Sequence, residues 1–190
     1  MEQQQQTQLL MLREDLGMLP DLVLPKGYVE HSLRSGDEYG WERIIMASFG
    51  GEHHFDKEMA SDDSYKPERV RFISIENGEP VATASAWYRP QCKENTGYLH
   101  MVGLLPEHAG KKLGYAVSLA ALHHMAREGR TRAVLHTDDF RIPAIKTYFD
   151  LGFIPELADD SHLGRWVALA KQLNRVILAV QEGTRMEIKP

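Results

Sequence analysis

The turn that follows Pro106 has the residue pattern with the clearest chemical meaning. An apolar strand ends just before it, and an apolar helix opens with Gly110 and Gly114 four residues apart. The first N–H groups of a helix have no acceptor within the helix, and the helix dipole makes that end positive. Glycines let a ligand approach the backbone closely, while Lys111 and Lys112 add two charges. The pattern therefore predicts an anion site suited to a pyrophosphate.

A plain surface turn with solvated lysines fits the same pattern, so that alternative stays open at this point. Two other phosphate-binding motifs are excluded by their spacing. A Walker loop requires Gly-x-x-x-x-Gly-Lys-Ser/Thr, and a dinucleotide fingerprint requires Gly-x-Gly-x-x-Gly. Neither pattern occurs in the sequence of this turn.

A second motif follows downstream, and with the turn it resembles the GNAT superfamily of acyl-CoA-dependent N-acetyltransferases. The turn is similar to the family signature Arg/Gln-x-x-Gly-x-Gly/Ala: Gly114 matches, but Ala109 replaces Arg/Gln and Lys112 replaces the first Gly. Residues 144–153 are similar to the family pattern Ala-x-x-x-Tyr-x-x-x-Gly-Phe, with Tyr148 as its tyrosine. The resemblance spans about residues 26–165.

The resemblance implies a role for each matching position. Acetyl-CoA is the implied cosubstrate, and Tyr148 is the implied general acid that protonates the leaving thiolate. Backbone groups of three strand residues would line the pantetheine: Val102, Gly103 and Leu104. Backbone N–H groups of the turn would hold the pyrophosphate: Gly110, Lys111, Lys112, Leu113, Gly114 and Tyr115.

A base for the attacking amine is less clear from the sequence. Many relatives have a Glu on the central strand, where this chain has Tyr98. His100 lies two residues further on, so it shares a strand face with Tyr98 unless a bulge intervenes. The ordinary pKa of histidine suits a base. We predict His100 as a catalytic residue, with a structural role in the pocket as the open alternative.

Cys92 lies in a polar loop, and the sequence around it has no histidine that would activate it as a nucleophile.

Two histidine pairs, His53-His54 and His123-His124, invite interpretation as metal ligands. Adjacent residues on a helix point about 100° apart, so neither pair converges on one ion. We predict no metal site.

Composition and charge exclude several classes of protein. The chain has 190 residues, and 22 basic against 27 acidic side chains give a net charge of −5, which argues against nucleic-acid binding. The single cysteine rules out an internal disulfide and suits a reducing compartment. No apolar run approaches the ~20 residues of a membrane span, and the N-terminus does not have the pattern of a secretory signal. We therefore expect a cytoplasmic protein without membrane or nucleic-acid partners.

Periodicity and turn signals predict an α/β fold with a twisted, mixed sheet and helices on both faces. We expect an N-terminal arm over 1–25 with a Gln-rich start and a short helix, a GNAT-like domain over 26–173 and a C-terminal strand or tail over 174–190. The predicted strands are 28–33, 70–75, 81–88, 97–105, 133–137 and 176–180. The predicted helices are 37–49, 54–60, 110–127, 142–151 and 162–173.

The favoured function is transfer of an acetyl group from acetyl-CoA to a primary amine of a small molecule or peptide. Two alternatives are kept: a non-catalytic module that binds acyl-CoA as a sensor, and a protein that binds some other anion at the basic turn. The Leu-rich arm and the strand at 176–180 are the candidate contacts of a homodimer.

Overall fold

The computed structural model describes residues 7–92 and 95–190, and the chain divides into two compact units. We call Glu14–Ala133 the central unit, and the residues up to Arg13 together with Val134–Pro190 the terminal unit. The Gln-rich start predicted within residues 3–6 lies outside the described residues. In chain order the elements are β1 (Leu9–Arg13), β2 (Tyr28–Ser32), α1 (Asp37–Phe49), β3 (Val70–Ile75), β4 (Pro80–Trp87), β5 (Thr96–Leu104), α2 (Leu113–Arg127), β6 (Arg132–Thr137), α3 (Ile142–Asp150), β7 (Ile154–Glu156), α4 (Asp160–Leu173), β8 (Ile177–Gln181) and β9 (Thr184–Ile188).

The central unit is an antiparallel sheet in the order β2-β3-β4-β5. Asn77-Gly78, a dipeptide typical of hairpin turns, joins β3 to β4: Gly78 has a φ of 97° and its N–H donates to the Ile75 carbonyl at 2.8 Å. The short helix predicted over 54–60 is a π-helical turn, Asp56–Ala60. Helices α1 and α2 both pack on β4 and β5.

A bulge in β5 decides which side chains face each helix. Thr83 pairs with Gly103, but two residues further along β4 Ser85 pairs with His100, so β5 contains one extra residue. Met101 lies at this point with a φ of 48°, the left-handed region that non-glycine residues rarely adopt. The bulge lies beyond His100, so Tyr98 and His100 share a strand face, as expected.

The bulge reverses the alternation of side chains along β5. A Cβ built on Gly97 would lie 2.5 Å from Met125 Sδ of α2, whereas one on Gly103 would lie 2.8 Å from Ile44 Cγ2 of α1. Residues 97 and 103 would share a face of a regular strand. With the extra residue they lie on opposite faces, so His100 joins Gly103 on the face that α1 covers. Helices thus lie on both faces of this sheet, as predicted.

The terminal unit contains a mixed sheet in the order β1-β7-β8-β9, together with α3 and α4. Strand β7 pairs antiparallel with β1 and parallel with β8, and β9 returns antiparallel along β8. The expected α/β class with mixed strand directions is confirmed. Helix α3 ends at Asp150, and Gly152, with a φ of 78° and an N–H bond to the Phe149 carbonyl, turns the chain back into β7.

Two expectations for the ends of the chain are wrong. The leucines of the N-terminal arm predicted a short helix, but residues 9–13 form β1, because pairing with β7 satisfies their backbone and buries Leu9 and Met11. The C-terminal segment contains two strands instead of one. Strand β9 was missed because its sequence, Thr-Arg-Met-Glu-Ile, is mostly exposed and polar. Glu182 and Gly183, with φ values of 48° and 80°, form the turn between them.

Candidate active site

The turn before α2 presents a continuous row of backbone donors. None of the N–H groups from Gly110 to Tyr115 has a hydrogen-bond acceptor within residues 7–92 and 95–190. Gly110 and Lys112 both have positive φ, 77° and 58°, and such left-handed residues curl successive N–H groups toward one point. The first turn of α2 contains no acidic residue. The predicted helix start at residue 110 is therefore replaced by this turn, and α2 begins at Leu113.

The space around the turn suits a bulky anion. A Cβ built on Gly114 would have no neighbour within 4 Å, so the backbone is open there. Lys111 Nζ donates to the Tyr28 hydroxyl at 2.9 Å, and that hydroxyl lies 2.9 Å from His108 Nδ1. These contacts hold one cation beside the donors. The sequence did not predict the involvement of Tyr28 or His108, because both lie outside the turn motif.

The strand residues expected to line the pantetheine differ in their burial and in the hydrogen bonds of their backbone. Gly103 is buried against α1, and the Leu104 N–H already donates to Ser48 Oγ at 3.0 Å. Val102 lies between the bulge and Gly103 and is half-buried. The turn therefore offers unpaired backbone donors, whereas the Leu104 N–H of the bulged strand is already bonded.

Strands β4 and β5 each contribute two side chains to the face toward α1. Because Ser85 pairs with His100 and Trp87 pairs with Tyr98, all four side chains point the same way. The His100 ring lies 5.8 Å from the Trp87 ring and 5.4 Å from the Tyr98 ring. Burial lowers the pKa of His100 to about 4, with a further contribution from Arg89. The imidazole is therefore neutral near pH ~7 and can accept a proton, although as a weak base.

Two carboxylates act on this histidine from outside the sheet. Burial acts to raise the pKa of Asp62, but hydrogen bonds from the Ser64 backbone N–H and the Trp87 indole outweigh it and hold that pKa below its usual range. The pKa of Glu58 is also lowered: burial acts to raise it, but hydrogen bonds from His53 and His54 outweigh burial. Both are ionised, and both act to raise the pKa of His100 against burial and Arg89.

Aromatic rings form the walls around this histidine. The Tyr65 ring lies 6.5 Å from Trp87, and the Arg89 guanidinium lies 4.1 Å above the centre of the Tyr98 ring. Burial raises the pKa of Tyr98, so its hydroxyl stays protonated. Neither Asp62 nor Ser85 was singled out in the sequence, because their relation to His100 depends on the register of the bulged strand.

Tyr148, the other predicted catalytic residue, lies in α3 of the terminal unit. Its side chain is buried and its ring packs edge-on against Phe153, 6.1 Å away. The Phe153 N–H donates to the Tyr148 carbonyl at 2.9 Å, so the Tyr-x-x-x-Gly-Phe pattern forms the end of α3. Glycine suits position 152 because its φ of 78° lies in the left-handed region that other residues rarely adopt.

The histidine pairs are held by contacts other than a metal ion. His53 bonds to Glu58 and to the Gly50 carbonyl, both at 2.9 Å, and His123 Nε2 lies 2.9 Å from the Pro20 carbonyl. Within the described ranges, no group of three or more His, Cys, Asp or Glu side chains could hold a metal ion. No helix in the described part of the chain has the length and apolar character needed to cross a membrane.

Comparison with known proteins adds family and fold. Residues 38–153 match the model of the acetyltransferase (GNAT) family. The mycothiol acetyltransferase of Streptomyces griseus subsp. griseus is 27% identical over 150 residues, which cover 74% of this chain and 48% of that protein. The mycothiol acetyltransferase of Streptomyces bingchenggensis is 29% identical over 145 residues, 71% of this chain and 46% of that protein. The chain spans about half the length of these relatives.

A solved structure provides an independent likeness of fold. The GCN5-related N-acetyltransferase from Kribbella flavida matches with a TM-score of 0.57, over 80% of this chain and 55% of that chain, at 23% identity. At that identity the likeness shows the fold alone. It agrees with the mixed strand directions and with the two helices on opposite faces of the central sheet.

Proposed function

Because the chain belongs to the acetyltransferase (GNAT) family, we propose that it transfers an acetyl group from acetyl-CoA to a primary amine. The observation that carries this proposal is the row of N–H groups from Gly110 to Tyr115 without acceptors, at a helix N-terminus inside the matched segment. Such a row suits the pyrophosphate of CoA. Val102, Gly103 and Leu104 would follow the pantetheine along β5, and no metal takes part.

The chemistry requires a neutral amine, a proton acceptor and a proton donor. The amine nitrogen attacks the thioester carbonyl, so a C–N bond forms and the C–S bond breaks. His100 takes one proton from the nitrogen, and Tyr148 gives one to the departing thiolate. The products are the N-acetylated amine and CoA. His100 then loses its proton to solvent and Tyr148 regains one, so the protein returns to its starting state.

The relatives guide the choice of acceptor. The two Streptomyces proteins are named mycothiol acetyltransferases, which favours a small-molecule amine over a peptide as the acceptor of this chain. Because this chain spans about half of their length, the acceptor is proposed as a class and not as that compound. A cytoplasmic location and a homodimeric state remain predictions.

A non-catalytic module that binds acyl-CoA is the second candidate. Two observations favour it: Lys112 has a left-handed φ of 58° where the family signature has glycine, and burial lowers the pKa of His100 to about 4, which weakens it as a base. Such a module would bind acetyl-CoA at the turn without turnover.

Two measurements test the proposal. Thermal unfolding with acetyl-CoA, CoA or ATP shows whether the turn selects CoA, since a ligand of the native state raises stability. We expect acetyl-CoA and CoA to stabilise the protein and ATP to do so far less. Thiol release with a panel of small amines and short peptides then tests turnover. Stabilisation without release of CoA would favour the non-catalytic module, and equal stabilisation by ATP would indicate a general anion site.

A further inference from the structure

Ser85 is a buried hydroxyl without a function in the fold. Its side chain is 0% exposed, and its Oγ has no hydrogen-bond partner within residues 7–92 and 95–190. Thr83, two residues earlier on the same face of β4, shows the usual arrangement: its hydroxyl donates to the Arg71 carbonyl at 3.1 Å. Buried hydroxyl groups are nearly always bonded, so the unpaired one calls for an explanation.

The position of Ser85 supplies that explanation. The bulged register places it directly opposite His100, and side chains of paired residues have Cβ atoms about 5 Å apart. Neither ring nitrogen of His100 makes a hydrogen bond within the described ranges either. Two polar groups without partners among the described residues therefore share one cross-strand pair.

We propose that Ser85 is a positioning residue for His100: its hydroxyl accepts a hydrogen bond from the imidazolium once His100 has taken the acceptor's proton. A neutral imidazole has one N–H donor, and the imidazolium has two. The rings of Trp87 and Tyr98 beside it are poor acceptors, so Ser85 Oγ is the acceptor that the cross-strand pair provides. The inference rests on the proposed function, in which His100 receives the proton.

The charged groups around His100 do not accept a hydrogen bond from its imidazolium. Among the described residues, Arg89 disfavours the imidazolium, while Asp62 and Glu58 favour it from the region of the π-helical turn. No carboxylate among them is hydrogen-bonded to the ring. A bond that forms only when the proton arrives stabilises the transition state more than the ground state. It should therefore act on kcat and leave KM largely unchanged.

Ser118 provides a matched control. It is also 0% exposed, and its hydroxyl also has no partner in the described chain, but it lies in α2, away from the face that carries His100. Replacing either serine by alanine removes an unpaired polar group, so neither change should destabilise the protein. Only Ser85→Ala should alter the behaviour of His100.

The experiment compares Ser85→Ala and Ser118→Ala with the unmodified protein by two readouts. The first is an NMR pH titration of His100, assigned from the signal lost in His100→Gln. We expect the same His100 pKa in the unmodified protein and in Ser118→Ala, and a lower pKa in Ser85→Ala. The second readout is kcat and KM with an amine identified in the thiol-release panel.

In Ser85→Ala we expect kcat to fall about tenfold with little change in KM, and thermal stability to hold or rise. Ser85→Thr, which keeps a hydroxyl, should recover most of the activity if it folds. A His100 pKa that is identical in Ser85→Ala and the unmodified protein would overturn the proposal. If no amine is acetylated but the pKa falls in Ser85→Ala, the contact stands and the acetyltransferase assignment fails.

Discussion

His100 is a neutral imidazole near pH ~7, because burial and the nearby Arg89 hold its pKa to about 4. Neutrality lets it accept a proton, but the low pKa limits its strength as a base. The carboxylates of Asp62 and Glu58 act in the opposite direction. The pKa of His100 is thus set by burial and one guanidinium, which lower it, and by two carboxylates, which raise it.

Asp62→Asn tests the contribution of the Asp62 charge to the pKa of His100. The asparagine oxygen can still accept the Ser64 N–H, which donates to Asp62 Oδ1 at 2.7 Å, so the turn should persist. The lost charge should lower the pKa of His100 and reduce kcat a few-fold, a modest effect because Asp62 is exposed and screened by solvent. Asp63→Asn, an equal charge change at the next exposed residue, is the control. Equal effects of the two variants on an NMR titration of His100 would rule out a specific role for Asp62.

Tyr148→Phe tests the proposed role of Tyr148 as the proton donor. The ring keeps its edge-on packing against Phe153, 6.1 Å away, so the variant should fold and bind acetyl-CoA nearly as before. Turnover should fall about 10²-fold or more, the range for loss of a general acid. Tyr39→Phe removes the hydroxyl of an exposed tyrosine and should leave turnover unchanged. Unchanged turnover in Tyr148→Phe would return Tyr148 to a purely structural role.

We propose that the turn before α2 binds CoA through its backbone, so its test is a change that blocks access to the backbone. Gly114→Glu places a bulky anion in a space where a Cβ has no neighbour within 4 Å, and it should abolish acetyl-CoA binding in calorimetry. Gly164→Glu is a matched control, because Gly164 also lies in a helix with open space around its Cβ position. Lys111→Ala should weaken binding only modestly, since an exposed charge is screened.

If Gly114→Glu binds acetyl-CoA as tightly as Gly164→Glu, the pyrophosphate site lies elsewhere and the turn is the plain surface turn that the sequence left open.

Some of these elements could be predicted from the sequence and others could not. The turn motif, the hairpin at Asn77-Gly78 and the buried helix α2 are signalled locally, by glycines and by an almost continuous apolar surface. The bulge is not, because residues 97–104 read as a regular apolar strand and the extra residue appears only when β5 pairs with β4. Consequently His100 could be singled out by its type, whereas its partner Ser85 could not.

Strand β1 could not be predicted from the local spacing of its apolar residues. The spacing of Leu9, Leu12 and Leu16 fits a helix, yet Leu9–Arg13 is extended because β7 offers an antiparallel partner for its backbone. Long-range pairing of this kind overrides local propensity. The N-terminal residues are therefore part of the terminal unit, and the expectation of a helical arm was wrong.

The buried histidines make the stability of the whole molecule depend on pH. Burial lowers the pKa of His100 and also of His124, so the unfolded chain binds more protons than the folded protein between about pH 6.5 and about pH 4. Stability must therefore fall as the pH falls through this window. For His100 alone the expected loss between about pH 7 and about pH 5 is about 2 kcal/mol.

Urea unfolding at the two pH values measures this loss. His100→Gln should unfold with a clearly smaller difference between the two conditions, because its side chain no longer titrates. His54→Gln, which replaces an exposed histidine, should retain the full difference. An equal pH dependence in His100→Gln and the unmodified protein would mean that His100 is not buried as the structure shows.

The central claim is that the unpaired donors of the α2 turn and the bulged face of β5 serve acetyl transfer to an amine. Its most direct test is mass spectrometry of the reaction mixture, with CoA release quantified in parallel, for the protein incubated with acetyl-CoA and a panel of small primary amines. The account predicts that at least one amine yields its N-acetyl derivative in equal amount to the CoA released, saturably in both reactants. Binding of acetyl-CoA with no acetylated amine, or release of CoA without acetylated product, would contradict it.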